Sequence, residues 1–209
     1  MERRPLASRQ TKWAKFLAQK LIATNITPNQ ISLGSIGFAL IGCILFLLAP
    51  SSPTALVLIA VCVQLRLLCN LMDGMVAIEG GKSSKVGGFF NEVPDRVADA
   101  LFLVPLGYAL GIPALGWLIA LLAISTAYLR VLGSSVGLGD DFQGPCAKPH
   151  RMAILTLTCL LGAIEEGVWG HFWVGWVGLA LLLIGTVWTC VKRGQRILDG
   201  MNAKVSPNV

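Results

Sequence analysis

The sequence predicts an all-α membrane protein, with six transmembrane helices behind an N-terminal amphipathic juxtamembrane helix. Three observations carry this. The 209-residue chain is 55% hydrophobic even without counting glycine, and its mean hydropathy is +0.70. Soluble domains reach only about 45–50% with glycine included. The apolar residues fall in long blocks, and a block of about 20 residues crosses a hydrocarbon core of about 30 Å at about 1.5 Å per residue. Lysine and arginine sit at every second connection between those blocks, the charge pattern of a polytopic protein. No linker interrupts the apolar region. The expected organisation is a basic segment at 1–26, one six-helix domain at 27–198 and a cytoplasmic tail at 199–209.

In chain order, the first twenty residues carry Arg3, Arg4, Arg9, Lys12, Lys15 and Lys20 among Trp13, Phe16 and Leu17. They hold no uninterrupted apolar core and no small-residue cleavage site, so a secretory signal is not expected. Helical spacing separates apolar from basic residues, as in a helix lying on an anionic leaflet. Thr27-Pro28-Asn29 opens the first span, 30–50, and Ala49-Pro50-Ser51-Ser52-Pro53 separates it from the second, 54–78. The third span, 88–111, meets the fourth, 113–136, at Gly111-Ile112-Pro113. A short fifth span, 149–165, and a sixth, 171–192, complete the set, with Glu165 and Glu166 expected to be solvated between them. Gly34, Gly37 and the glycines between 170 and 185 are expected to allow close helix packing.

The connections near 50–53, 111–113 and 165–170 hold no lysine or arginine. The opposite ones hold the N-terminal cluster, Lys82, Lys85, Lys148, Arg151, Lys192, Arg193 and Arg196. This bias puts both termini in the cytoplasm; the small size and compact plan resemble prokaryotic proteins, which points to a bacterial inner membrane. The net charge of +6 is accounted for by these connections, and no nucleic-acid motif is present, so nucleic acid is not an expected partner. Six cysteines lack CxxC or Cys/His spacing and read as packing residues, not as disulfides or a zinc site.

The stretch Asn70 to Asp99 carries the chemistry. Carboxylates at membrane depth are expensive, at least about 2.5 kcal/mol at a helix centre, and they mark sites for ions, protons or substrates. On the second span, Asn70, Asp73 and Ala77 share a face; on the third, Asn91, Asp95 and Asp99 do. Both sets lie near the ends joined by 79–87, so the two faces are expected to meet across an antiparallel hairpin. Clustered carboxylate and amide oxygens are hard ligands of the kind Mg2+ or Mn2+ takes. Gly74, Gly80, Gly81, Gly87 and Gly88 leave room for a bulky polar ligand.

Asp73, Gly74, Ala77, Gly87 and Asp95 resemble, at matching spacing, the signature D-x2-D-G-x2-A-R-x8-G-x3-D-x3-D of the CDP-alcohol phosphotransferase family. Asn70 and Asn91 stand where that signature has Asp, and Ile78 where it has Arg. The basic segment, the Thr-Pro-Asn entry and the six spans fit the same plan. The resemblance implies transfer of a phosphoalcohol group from a CDP-alcohol, CDP-diacylglycerol above all, to a hydroxyl acceptor, with release of CMP in phospholipid synthesis. It further implies a homodimer in contact with membrane lipids. Carried over, Asp73 is a metal ligand, and Asn70 and Asn91 occupy the other ligand positions. Asp95 is the general base, and Gly74, Ala77 and Gly87 line the nucleotide pocket. Two amides leave the site about two charges more positive than the signature, with Glu79, Glu92 and Asp99 as the nearby acids to compensate. Arg96, Arg130, Lys148 and Arg151 are the expected phosphate or acceptor ligands. Two alternatives use the same residues: a catalytically weakened membrane scaffold, from the three departures, and an ion-coupled transporter, from the buried acids.

Overall fold

A computed structural model describes residues 7–205. Arg3, Arg4 and the end of the expected tail, 206–209, lie outside the described residues. A 3-10 turn, Ala7–Gln10, precedes seven helices: α1 Lys12–Ile22, α2 Pro28–Leu48, α3 Pro53–Glu79, α4 Gly87–Ala109, α5 Pro113–Ser135, α6 Lys148–Trp169 and α7 Trp173–Val205. Among the described residues there is no strand.

Local chemistry sets the helix starts. Thr27 forms a capping box with Gln30: its hydroxyl accepts from Gln30 N at 3.3 Å, and Gln30 Oε1 accepts from Thr27 N at 2.9 Å. Pro28 follows as the first helical residue, where its missing N–H costs nothing. On α3, Ser52 caps alone, its hydroxyl accepting from Ala55 N at 3.3 Å, with Pro53 as the first helical residue. Helix α1 buries Ala14 and Ala18 against Leu71, Met72 and Met75 of α3 and turns Trp13 and Phe16 outward. Lys82 closes its far end by donating to the carbonyls of Ile22, Thr24 and Ile26.

Five helices, α2, α3, α5, α6 and α7, are long and apolar enough to cross a membrane. Helix α4 has the same length as α5, 23 residues, but carries Glu92, Asp95, Arg96 and Asp99 in its first two-thirds. The six long helices pack in a closed order: α3, α2, α4, α5, α7, α6 and back to α3. Phe46, Leu56, Ile59, Phe102, Leu106, Ile119, Met152 and Leu155 fill the interior. The outer faces expose Leu40, Ile44, Leu121, Ile124, Leu181 and Ile184, residues that suit lipid better than water. This is a multi-pass integral membrane protein.

Several expectations change. Helix α6 runs to Trp169, not 165, so Glu165 and Glu166 are helical. Glu165 is buried, accepts the N–H of Val174 at 2.8 Å at the start of α7, and lies 3.0 Å from His171 Nδ1. An N-terminal N–H without a helical partner accounts for that acid. Helix α7 continues well past 192, taking in part of the expected tail. Gly34 and Gly37 face open space, whereas Gly175, Gly178 and Gly185 allow the expected close packing against Leu110, Thr158 and Cys146, and backbone approaches backbone at Gly107 and Gly116 between α4 and α5. A Cβ on Gly107 would lie 2.7 Å from Gly116 Cα. All six cysteines are free.

Candidate active site

The backbones of α3 and α4 stand apart, but the expected faces meet through side chains, Asn70 and Arg66 of α3 reaching Asp95 and Asp99 of α4. Helix α2 packs on both, and the space between them opens into a cavity of about 810 Å3. The first turns of α2, α4 and α6 open onto it through Pro28 and Asn29, Gly87 and Gly88, and Lys148 and Pro149. Helix N-termini carry partial positive charge, so three of them around one cavity favour an anion.

Asn70, Asp73, Gly74 and Ala77 line the cavity from α3, and Gly87, Asn91, Glu92, Asp95 and Arg96 line it from α4. Arg130, Lys148 and Arg151 line it from α5 and α6. Glu79 is exposed and is not among the lining residues.

Asp73 is buried. Its Oδ2 accepts from Ser32 Oγ of α2 at 2.6 Å, while Oδ1 is buried without a hydrogen-bond partner. Asp95 is surrounded by cations. Arg66 Nη2 lies 3.2 Å from its Oδ1, Arg96 Nη2 lies 3.7 Å from its Oδ2, and Lys148 Nζ donates directly to Oδ2. Asn70 joins the group: its amide donates to Asp95 Oδ1 at 3.3 Å, and its Oδ1 accepts from Lys148 Nζ at 2.8 Å.

The other acids are taken up elsewhere. Asp99, expected as a compensating acid, accepts from Arg66 Nη2 at 2.9 Å and from Arg151 Nη2 at 2.8 Å. All three residues are buried. Arg151 also donates to the Cys146 carbonyl at 2.9 Å, so it braces the core under the cavity. Glu92, expected to assist a metal, lies 2.7 Å from Arg130 Nη2. Arg130 Nη1 is 3.3 Å from Asp140 Oδ1, and its guanidinium sits over the Phe142 ring at 5.3 Å.

Ser32, Arg66, Asp140, Phe142 and Arg193 are the contributors that sequence reasoning missed or left without a role. Arg193 is buried and donates to the carbonyls of Thr126 and Gln143. A basic residue interrupting an apolar run was the available signal for Arg66; nothing local marked the others.

The donor set bears on metal binding. Among the described residues, no three His, Cys, Asp or Glu side chains form a group able to hold an ion. Asp73 Oδ1 is a buried carboxylate oxygen without a hydrogen-bond partner, in a residue that lines a cavity wide enough for a diphosphate. This fits a single hard cation that completes its shell with water and substrate phosphate, as Mg2+ commonly does.

The model for CDP-alcohol phosphatidyltransferases matches residues 25–188. The chain belongs to this family. It is a transferase of phospholipid biosynthesis built on membrane helices. Inner membrane protein YnbA of Escherichia coli is 27% identical over 177 residues, covering 83% of this chain and 85% of that protein. Archaetidylinositol phosphate synthase of Pyrococcus horikoshii is 26% identical over 165 residues, covering 77% and 84%. The fold is similar to that of phosphatidylinositol phosphate synthase from Mycobacterium tuberculosis. The structure of that enzyme with CDP-DAG bound aligns at a TM-score of 0.73 and 19% identity, over 90% of this chain and 94% of that one. Its structure with manganese and citrate gives 0.72 and 20%, over 88% of each.

Proposed function

We propose that this transferase moves a phosphatidyl group from CDP-diacylglycerol, or a similar CDP-alcohol, to a hydroxyl acceptor and releases CMP. One observation carries the reading: Asp73 and Asp95, from two different helices, line a single cavity edged by cations and three helix N-termini. That surface suits a diphosphate, and the M. tuberculosis relative of like fold holds CDP-DAG.

Gly74, Ala77 and Gly87 give the nucleotide room on the α3 and α4 sides. Arg96, Arg130 and Lys148 face the cavity and bind phosphate oxygens. Asp73 Oδ1, with Asn70 and Asn91 nearby, holds a divalent cation, Mg2+ or Mn2+. When bound, such an ion neutralises the diphosphate and eases departure of CMP. Asp95 takes the acceptor's hydroxyl proton as the new oxygen–phosphorus bond forms and the bond to CMP breaks. A carboxylate has about four lone-pair sites, so Asp95 can keep Arg66 and Asn70 on Oδ1 while Oδ2 exchanges Lys148 for the proton. The domain is the 27–198 unit. Helix α4 crosses as the sixth span, α1 lies on the leaflet surface, both termini and the cavity face the cytoplasm, and two chains pair in the membrane.

The test is CMP release by purified protein given Mg2+, CDP-diacylglycerol and a panel of acceptors: glycerol phosphate, inositol, inositol phosphate and serine. Release that needs both acceptor and metal is expected. Asp95→Asn is expected to abolish turnover while retaining nucleotide binding; full turnover by that variant would remove Asp95 as the base.

A further inference from the structure

The next inference rests on the phosphotransfer reading and concerns how the cavity balances charge. A signature with four acids carries enough charge for two divalent cations. This chain keeps two of those acids, Asp73 and Asp95, with amides at Asn70 and Asn91. The two acids are not equivalent. Asp73 pairs with a neutral hydroxyl and keeps Oδ1 without a partner. Asp95 faces Arg66, Arg96 and Lys148.

Asn70 ties this arrangement together before the acceptor enters. Its amide nitrogen donates to Asp95 Oδ1, and its carbonyl oxygen accepts from Lys148 Nζ. An amide does both; a carboxylate has nothing to donate. The two oxygens that a second ion would need, Asn70 Oδ1 and Asp95 Oδ2, are thus already joined through one ammonium. That ammonium belongs to the first residue of α6, where the positive end of the helix adds to it, and it lines the same cavity as Asp73. A second divalent ion would have to displace it and then lie against Arg66 and Arg96.

We propose that Lys148 is a built-in second cation: its ammonium, held between Asn70 and Asp95, stands in for a second divalent ion and meets the donor diphosphate. The site therefore takes one divalent cation, on Asp73. Asn70 and Lys148 form a matched pair. Restoring an acid at 70 gains a second ion only if the ammonium is removed as well.

The test counts bound Mn2+ by the loss of its aqueous electron-spin-resonance signal. It uses the full chain in lipid nanodiscs, with CDP as a soluble diphosphate probe. Wild type is expected to bind one Mn2+ per chain, and Asn70→Asp/Lys148→Met two. Lys148→Met alone is expected to bind one and to lose CDP affinity about tenfold, the scale of one charge-assisted hydrogen bond, while Lys148→Arg keeps it. Two ions or none on wild type overturns the assignment, as does a double variant that folds, by its thermal melt, yet binds one. The wild-type count needs no variant. It also needs no turnover: one Mn2+ without CMP release keeps the assignment and removes the phosphotransfer reading, whereas turnover with two Mn2+ overturns the assignment and keeps that reading.

Discussion

Replacing Asp99 with alanine removes a carboxylate shared by two buried guanidinium groups. Arg66 is 0% and Arg151 1% exposed, and their bonds to Asp99 are 2.9 and 2.8 Å. Arg66 Nε and Nη1 and Arg151 Nε are already buried without partners, so neither cation has spare contacts to fall back on. Breaking a buried ion pair from one side costs about 3–5 kcal/mol. Arg66 keeps Asp95 at 3.2 Å and Arg151 keeps the Cys146 carbonyl, which places the loss at the lower end, about 3 kcal/mol. At about 2–4 °C per kcal/mol for a chain of this size, the melting temperature falls by about 6–12 °C. The assay is a thermal melt in one detergent, wild type beside variant. Asp99→Leu combined with Arg151→Met removes both charges together and recovers much of the loss, because replacing a whole buried pair by apolar groups is often neutral. Bound Mn2+ is unchanged in Asp99→Ala. A melt within about 1 °C of wild type would refute the reasoning, because a 3 kcal/mol loss moves it several times as far. A lost Mn2+ would make Asp99 a ligand after all.

Three further outcomes are expected. Asp73→Asn keeps the Ser32 hydrogen bond through its amide oxygen, so the protein folds, but Mn2+ binding is lost and CMP release falls at least about 100-fold, the scale of removing one preorganised electrostatic group. Arg130→Ala raises the KM for a phosphate-bearing acceptor about 10–100-fold, from one charge-assisted contact, with little change for an uncharged acceptor. Gly107→Ala puts a methyl group 2.7 Å from both Gly116 Cα and N, backbone that cannot swing aside, and lowers stability by about 1–3 kcal/mol, read in the same melt.

The site shows which features the sequence carries openly. Helical spacing put Asn70 and Asp73 on one face and Asn91, Asp95 and Asp99 on another, and the structure keeps both faces on the cavity side or just beneath it. Thr27-Pro28 and Ser52-Pro53 marked two helix starts within two residues, because a cap depends on atoms three or four positions away. The end of α7 was misplaced for a related reason: the apolar block stops near 192, but hydrogen bonding carries the helix on without lipid-facing residues. Glu79 and Glu92 looked interchangeable as compensating acids. Glu79 falls at the last residue of α3, outside the cavity, and Glu92 meets an arginine from α5.

By itself, the sequence determined the long apolar helices, the family, and the acids that share a face. All of these rest on hydropathy and on spacings of three or four residues. Only the tertiary structure decided which charge answers which. Arg66 meets Asp99 across 33 positions, Arg151 meets it across 52, and Lys148 reaches Asp95 across 53. Such pairings follow from where α2, α5 and α6 pack around the open α3–α4 gap. A buried charge takes the partner that packing brings within reach, and that distance is not written in the spacing of residues along the chain.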